Sequence, residues 1–135
     1  MNITVTQDQG SVPVAVFRIE GELNSEEPLR TQAESAHASG TQNILLDLSH
    51  VPYISSSGLR AIHTIFNLLR SGNPEESGAA TRKGIAAGTF TSPHLKLLNP
   101  TKNVLEVLKT AGYDMFLEIH HDYKKAIASF KPAAP

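Results

Sequence analysis

The sequence contains no cysteine among its 135 residues. Neither a disulfide framework nor a thiolate metal site is therefore possible, and the chain is compatible with a reducing compartment. An excess of charge of either sign is also missing, because 12 Lys and Arg residues stand against 13 Asp and Glu residues. Without a broad basic field, we expect no binding to nucleic acid or to an anionic membrane surface.

Long apolar runs and common ligand-binding motifs are absent as well. No run approaches the roughly 20 apolar residues of a membrane helix, and the opening residues MNITVTQDQG lack the features of a signal peptide. No glycine-rich phosphate loop occurs, and the adjacent His120 and His121 would point apart on any regular element. We therefore predict a soluble cytoplasmic protein with no membrane insertion, metal or cofactor.

The residues that are present have the ordinary balance of a folded domain, with 40% apolar and 19% charged residues. The segment 43–49, NILLDLS, has adjacent aliphatic residues that favour a strand buried on both faces. Strand-like segments then alternate with segments of helical spacing, which predicts an α/β domain with a mixed, partly parallel sheet and helices packed on it. The predicted strands are 3–6, 14–20, 43–49, 94–98 and 115–119.

Four helices are predicted from the spacing of apolar residues and from capping residues at their ends. The first helix would be capped by Asn24 or Ser25, and the second would begin within the serine run 55–57. The third would follow a turn and cap at 99–101, and the fourth would be capped by Asp122.

One domain is expected over residues 1–130, with a segment of different character inside it. Residues 71–93 contain four glycines and two prolines but few apolar side chains, which predicts a flexible insertion. The last residues, 131–135, contain two prolines and cannot continue a helix, so we expect a disordered tail.

The segment 53–59, YISSSGL, places three hydroxyls and a glycine between two apolar segments. A cap by Ser56 or Ser57 at the start of the second helix would contribute about 1 kcal/mol. Gly58 would allow the chain to pass close to another element. Capping accounts for only one serine, whereas a phosphoserine would be tolerated at the partly positive helix end, which predicts a phosphorylation site.

A longer stretch around these serines resembles a known family. Residues 47–59, DLSHVPYISSSGL, are similar to the signature of STAS domains, and of anti-sigma factor antagonists in particular, which usually reads D-x-S-x-(V/L)-x-x-(I/M)-D-S-S-G-L. The segment 17–23, FRIEGEL, is similar to the second strand of that family. Residues 95–126 resemble its C-terminal third, so the resemblance covers most of the chain outside the insertion and the tail.

The resemblance implies a partner-switching function. In such proteins the serine before S-G is phosphorylated, and that position is Ser56 here, with Ser55 and Ser57 as alternative acceptors. The kinase is an anti-sigma factor of the GHKL type, which the unphosphorylated antagonist binds so that a sigma factor is released for transcription. A PPM-type phosphatase reverses the modification.

Two positions depart from the usual family pattern. Ser55 stands where an aspartate usually precedes the phosphoserine, and Asn24 stands where an aspartate usually follows G-x-L. Both changes remove a negative charge near the predicted site. An unphosphorylated STAS binding module in a sensory or lipid-transport assembly is therefore the alternative function.

Other residues are predicted to line the partner surface, and a weak homodimer is the further interaction considered. Asp47 is interpreted equally well as a turn-stabilising carboxylate. The simpler interpretation is favoured for Ser49, as a turn-stabilising hydroxyl, and for Arg60 and His63, as solvated surface residues. A serine hydrolase is a minor alternative, because the chain lacks a G-x-S-x-G elbow and His63 lies on the helix that the serines open. The predicted partner-binding residues are Asn24, Asp47, Ser49, Ser55, Ser57, Gly58, Arg60 and His63.

Overall fold

The structure is a computed structural model that describes residues 1–71 and 91–131. Within these residues it contains one five-stranded sheet, four α-helices and one 3-10 turn. The strands are β1 (Asn2–Gln9), β2 (Pro13–Glu20), β3 (Ile44–His50), β4 (Leu95–Leu98) and β5 (Glu118–His120). The helices are α1 (Glu27–Ala38), α2 (Ser56–Ser71), α3 (Lys102–Thr110) and α4 (Tyr123–Ser129), and the 3-10 turn is Tyr113–Met115.

The strands lie in the sheet in the order in which they occur in the chain, β1-β2-β3-β4-β5. The β1–β2 pair is an antiparallel hairpin, and the remaining pairs are parallel. Because crossovers between parallel strands are right-handed and all proceed in one direction across this sheet, α1, α2 and α3 lie on one side of it. We call that side the first face. The predicted α/β fold with a mixed sheet is confirmed.

The first face carries the larger apolar core. Alternate residues of the strands, such as Phe17 and Leu46, point into it and meet the buried stripes of the three crossover helices. The helical members include Leu29 of α1, Ile65 of α2 and Leu108 of α3. These side chains are almost fully removed from water, so apolar burial is the main attachment of these helices.

Among the described helices, α4 is the one that packs on the opposite side of the sheet, the second face. Its smaller cluster joins Val14, Val16, Leu45 and Leu98 of the strands to Ala126, Ile127 and Phe130 of the C-terminal segment. Lys96 lies on this face and is buried, with its side chain only 4% exposed. Its Nζ donates to the carbonyl and the hydroxyl of Ser129, both at 3.0 Å, and pairs with Glu118 at 2.8 Å.

The structure corrects the predicted cap of α1 and confirms the position, though not the capping bond, of the predicted cap of α3. The N-cap position of α1 is Glu26, which makes no side-chain capping bond, and Pro28 lies in the first turn. Asn24 follows Leu23, which bridges to Ile54 in the segment after β3, so it lies in that loop and not at the start of α1. Its side-chain amide donates to Glu22 at 3.4 Å. Thr101 does hold the N-cap position of α3, but its hydroxyl donates to the carbonyl of Val51 at 2.8 Å.

Other local predictions agree or are shifted. Asp122 caps α4 by accepting from the N–H of Lys125 at 2.9 Å, as predicted. Gly112 adopts φ 79° after α3, a left-handed conformation that favours glycine and ends the helix. The predicted last strand at 115–119 is wrong in its first half, because Met115 belongs to the 3-10 turn and β5 begins at Glu118.

The predicted insertion and tail lie mostly outside the described residues. Residues 72–90 and 132–135 are not described. At the edges of the predicted insertion, Ser71 is the last residue of α2, and Ser92 is buried. The Ser92 hydroxyl accepts from the N–H groups of His94 and Leu95, at 3.3 and 3.2 Å, and so fixes the entry into β4.

Candidate functional site

The site is built from two loops that follow neighbouring parallel strands. Leu23, after β2, forms an isolated parallel bridge with Ile54, after β3. The N–H of Leu23 donates to the carbonyl of Tyr53 at 2.9 Å, and the N–H of Ser55 donates to the carbonyl of Leu23 at 3.0 Å. The carboxyl ends of parallel strands are the usual place for function in α/β sheets. This pairing brings the Asn24 loop beside the start of α2.

Ser55 caps α2, in place of the predicted Ser56 or Ser57. Its hydroxyl accepts from the N–H of Gly58 at 3.3 Å, and the helix begins at the next residue. Ser56 is exposed, and its hydroxyl makes no hydrogen bond with the described residues. Ser57 is half-buried and accepts from the guanidinium of Arg60 at 3.1 Å. The three hydroxyls therefore have three different environments.

Gly58 is required by a close approach, as the sequence predicted. A Cβ at this position would lie 2.3 Å from the carbonyl oxygen of Leu23 and 2.7 Å from a side-chain carbon of Ile54. No real Cβ contact is that short with a backbone atom. The first turn of α2 therefore lies directly on the bridge between the two loops, and only a glycine, which has no Cβ, fits at this position.

Glu26 links α1 and α2 at the site, and no local pattern in the sequence indicates this role. Its carboxylate accepts from the hydroxyl of Thr64 at 3.1 Å and faces the guanidinium of Arg60 at 3.9 Å. It also lies 4.0 Å from Arg30, one turn along α1. Arg60 is thus held between Glu26 and Ser57, although two thirds of its side chain is exposed.

A groove of about 750 Å³ opens beside the serine turn, between the start of α2 and α3. Tyr53, which is 51% exposed, lines this groove together with apolar side chains such as Leu59 and Val107. Tyr113 fixes the backbone at Leu59 by donating its hydroxyl to the carbonyl of that residue at 2.9 Å. Burial raises the pKa of Tyr113, so this donor keeps its proton. The groove is lined by Tyr53, Leu59, Asn103, Glu106, Val107, Thr110 and Ala111.

Asp47 and Ser49 form a separate group on the second face. The carboxylate of Asp47 accepts from the N–H and the hydroxyl of Ser49, at 3.0 and 2.7 Å. Because Ser49 donates to Asp47, the Nδ1 of His50 donates to Ser49 at 2.9 Å, and its Nε2 accepts from Arg18 at 3.2 Å. One extra residue of β3 opposite β2 between Arg18 and Glu20 allows these short contacts.

His63 is not brought to the serines. It lies seven residues after Ser56, about 10 Å along the helix axis. Its Nδ1 is 3.2 Å from the amide of Asn67, and its ring lies near the rings of Phe66 and Phe116. A serine hydrolase needs a base within hydrogen-bond reach of its serine, and His63 does not meet that requirement.

Metal and membrane sites are not found in the part of the chain that the structure describes. Within residues 1–71 and 91–131, no group of three His, Asp or Glu side chains is placed to hold a metal ion. None of the helices in those ranges is long and apolar enough to cross a membrane.

Solved structures with the same fold include several sigma-factor regulators. One, from Thermotoga maritima, is assigned as an anti-sigma factor antagonist; it is 21% identical, with a TM-score of 0.61 over 87% of this chain and 86% of that chain. Another, an anti-sigma factor antagonist from Mycobacterium paratuberculosis, is 16% identical, with a TM-score of 0.62 over 96% and 94%. The phosphorylated form of the Bacillus cell fate determinant SpoIIAA is 17% identical, with a TM-score of 0.60 over 93% and 96%.

At these identities the similarity establishes the fold. No curated protein sequence gives a significant match to the chain. The match to a family model is more extensive, because it covers residues 2–74, more than half of the chain and the whole segment from β1 to the end of α2. The protein therefore belongs to the STAS domain family.

Proposed function

We propose that this protein is an anti-sigma factor antagonist that works by reversible protein binding, with Ser56 as its switch. The unphosphorylated form binds an anti-sigma factor that is a GHKL-type serine kinase, and phosphorylation of Ser56 ends that binding. A PPM-type phosphatase restores the binding form. Transcription that depends on the sigma factor is regulated in this way. The protein itself acts as a binding module and not as an enzyme.

The environment of Ser56 is the observation that carries the proposal. It is the exposed serine of the three, and its hydroxyl is not engaged by any described residue. Ser55 is engaged as the helix cap and Ser57 by Arg60, so modifying either would break an existing contact. Addition of a phosphate to Ser56 requires no such loss.

The position of Ser56 also explains how a phosphate could be added without unfolding the domain. It is the first residue of a 16-residue helix, where free backbone N–H groups and the helix dipole favour negative charge. A phosphate there would carry about −1.5 to −2 charges onto the surface beside the partly apolar groove. We expect that charge to oppose docking of a partner in the groove, because an apolar contact would have to desolvate it.

The departures at Ser55 and Asn24 have a physical interpretation that keeps the proposal intact. Serine and aspartate are comparable N-caps, so Ser55 preserves the helix start and removes only a charge. Asn24 donates to Glu22, which an aspartate could not do. The same missing charges favour the second candidate, a STAS binding module that is never phosphorylated.

The two candidates are separated by intact-mass measurement and phosphosite mapping of the protein purified from its own cells, in growth and in stress. The proposal expects one phosphate, on Ser56, in an amount that depends on the condition. Ser56→Ala should remove it, whereas Ser57→Ala is the matched control and should retain it. A protein that carries no phosphate in any condition would contradict the switch and favour the unphosphorylated module.

Binding to the candidate anti-sigma kinase of the same cells then tests the partner. Ser56→Asp should weaken binding by about a hundredfold or more, and Ser56→Ala should bind as tightly as the unmodified protein. Both variants should retain the unfolding free energy of the wild type, because the exposed Ser56 hydroxyl has no hydrogen bond with a described residue to lose. Equal binding by both variants would show that Ser56 does not control the partner.

A further inference from the structure

The two edges of the sheet differ in how they are protected. β5 forms one edge and has only three residues. β1 forms the other edge, has eight residues, and pairs with β2 without a break from Asn2 to Gln9. Natural sheets usually blunt a long edge strand with lysine, proline or a bulge. The β1 sequence NITVTQDQ contains no lysine or proline and no bulge, and its single charge is Asp8.

A partly apolar surface accompanies this open edge. Val5 is opposite Phe17 and therefore points to the first face, yet it is 37% exposed. A groove of about 510 Å³ opens between the start of β1 and the first turns of α1. Its lining residues are Met1, Asn2, Ile3, Ser25, Glu27, Pro28, Thr31 and Gln32. Among the described residues, β1 pairs on one side only, so the edge offers both backbone groups without a strand partner there and apolar side chains.

We propose that β1 is a self-association edge, at which a second copy of this chain adds its own β1 antiparallel about a two-fold axis through Val5. Such an axis, perpendicular to the sheet, keeps each side chain on the same face in both copies. Opposing residues must then both be odd-numbered or both even-numbered. With the axis at Val5, the exposed valines face each other, and the other pairs are Thr4 with Thr6, Ile3 with Gln7, and Asn2 with Asp8.

The chemistry of this register favours a second copy as the partner. Cross-strand pairs of β-branched residues stabilise antiparallel strands, and Val5 and Thr4 provide them. The one charge, Asp8, is opposite the amide of Asn2, so no like charges meet. A two-fold pairing is also closed, because it uses both β1 edges and leaves only the short β5 edges of the joined sheet. Growth into a fibre is thereby avoided.

The proposal is independent of the switch at Ser56. That serine lies after β3, two strands away from β1 in the sheet. Phosphorylation there is not expected to alter pairing of the β1 edges. The dimer can therefore be tested independently of the partner-switching function, and Ser56→Asp should self-associate as strongly as the wild type.

Sedimentation velocity from micromolar to millimolar concentration tests the self-association. We expect the mass to rise from the 14.6 kDa of one chain toward twice that value. Val5→Lys and Val5→Glu should each weaken the dimer at least about tenfold, because like charges meet on the axis. An equal mixture of the two variants should restore it, because lysine then faces glutamate. Ser35→Lys, an exposed position on α1 outside both grooves, is the matched control and should leave the dimer unchanged.

Several outcomes would overturn the proposal. A wild type that keeps the mass of one chain up to millimolar concentration would do so, and so would a Val5→Lys variant that dimerises normally. A mixture no better than either variant alone would exclude the register at Val5. A wild type that never dimerises, with a Val5→Lys variant that loses binding to the anti-sigma partner, would assign the edge to a strand of that partner instead.

Hydrogen exchange of the wild-type protein provides a readout that does not depend on the folding of variants. Amides of β1 that point away from β2 should exchange more slowly as the concentration rises. Amides of α4, which lies on the second face, should show no change and serve as the internal control. Exchange of β1 that is independent of concentration would overturn the proposal.

Discussion

The helices on the first face of the sheet and the single helix on the second face are attached by different kinds of contact. On the first face, α1, α2 and α3 pack through wholly apolar stripes such as that of Ile62 and Ile65. On the second face, α4 has seven residues and buries few side chains. A short helix is marginal by itself and gains little from so small a cluster.

Polar contacts supply what the apolar cluster of α4 lacks. The Nζ of Lys96 donates to Ser129 in the last turn of α4, and it also lies 5.0 Å from the ring of Phe130. Tyr123 in its first turn donates to Asp8 of β1 at 2.5 Å. The first face therefore depends mainly on the packing of apolar side chains, whereas the second face depends on a few hydrogen bonds. Three substitutions test this difference.

The largest effect should come from the tightest point of the first face. Gly58→Ala would place a Cβ against the carbonyl of Leu23, and backbone cannot move aside easily there. We expect a loss of about 3 kcal/mol in the free energy of unfolding, measured by urea denaturation. The adjacent Ser57→Ala is the control and should change it by less than about 0.5 kcal/mol. A Gly58→Ala variant as stable as the wild type would show that the packing around this position can accommodate an added methyl group.

An intermediate effect is expected from the buried lysine of the second face. Lys96→Met keeps the length of the side chain but leaves the Ser129 carbonyl and Glu118 without their donor. We expect a loss of about 2 kcal/mol, and faster hydrogen exchange confined to α4. Lys125→Met, the same change at an exposed position of α4, should have little effect. If both variants behaved alike, packing alone would hold α4.

The smallest effect should be the one that depends on pH. The hydroxyl of Tyr123 is the main cause that lowers the pKa of Asp8 below its ordinary value of 3.8. A lowered carboxyl pKa contributes stability above the unfolded value, and this contribution is lost as the pH falls below 3.8 through the folded pKa. Tyr123→Phe should therefore be less stable than wild type at neutral pH, with a difference that vanishes in acid.

At alkaline pH the dependence of stability on pH has the opposite sign, so that stability falls as the pH rises. Burial, and then the carboxylate of Asp8, raise the pKa of Tyr123 from 10 to about 12. This contribution is fully present below pH 10 and is lost as the pH rises toward 12. Thermal unfolding over the whole pH range measures both limbs, with Tyr53→Phe as the control at an exposed tyrosine. Parallel pH profiles for wild type and Tyr123→Phe would contradict the assigned role of this hydrogen bond.

The first face could largely be predicted from the sequence because its contacts follow local periodicity. The aliphatic run 43–49 indicated the central strand, and the spacing within 59–69 indicated α2. Both signals are patterns of apolar residues within a short segment, so they can be recognised in the sequence without knowledge of any tertiary contact. The glycine after the serines was predicted from the same local pattern, and the contact with Leu23 gives its physical reason.

The remaining features depend on contacts between distant segments. Which of the three serines caps α2 is decided by the bridge from Leu23 to Ile54, which fixes where the loop ends. The same bridge removes Asn24 from the start of α1. Glu26 and Lys96 have partners 38 and 33 residues away, and no local pattern indicates such pairs. Met115 was assigned to a strand because its neighbours are apolar, but Gly112 turns that segment into a 3-10 turn.

The strand order has a consequence for how the chain assembles during synthesis. Each strand pairs with the one made just before it, so a strand that leaves the ribosome finds its neighbour already in place. The β1–β2 hairpin can form alone within microseconds, before any helix is complete. Each later unit, a helix and its strand, then extends the existing sheet by one step. Among the described strands none has to be inserted between two others, and α4, which is synthesised after all of them, packs on the second face.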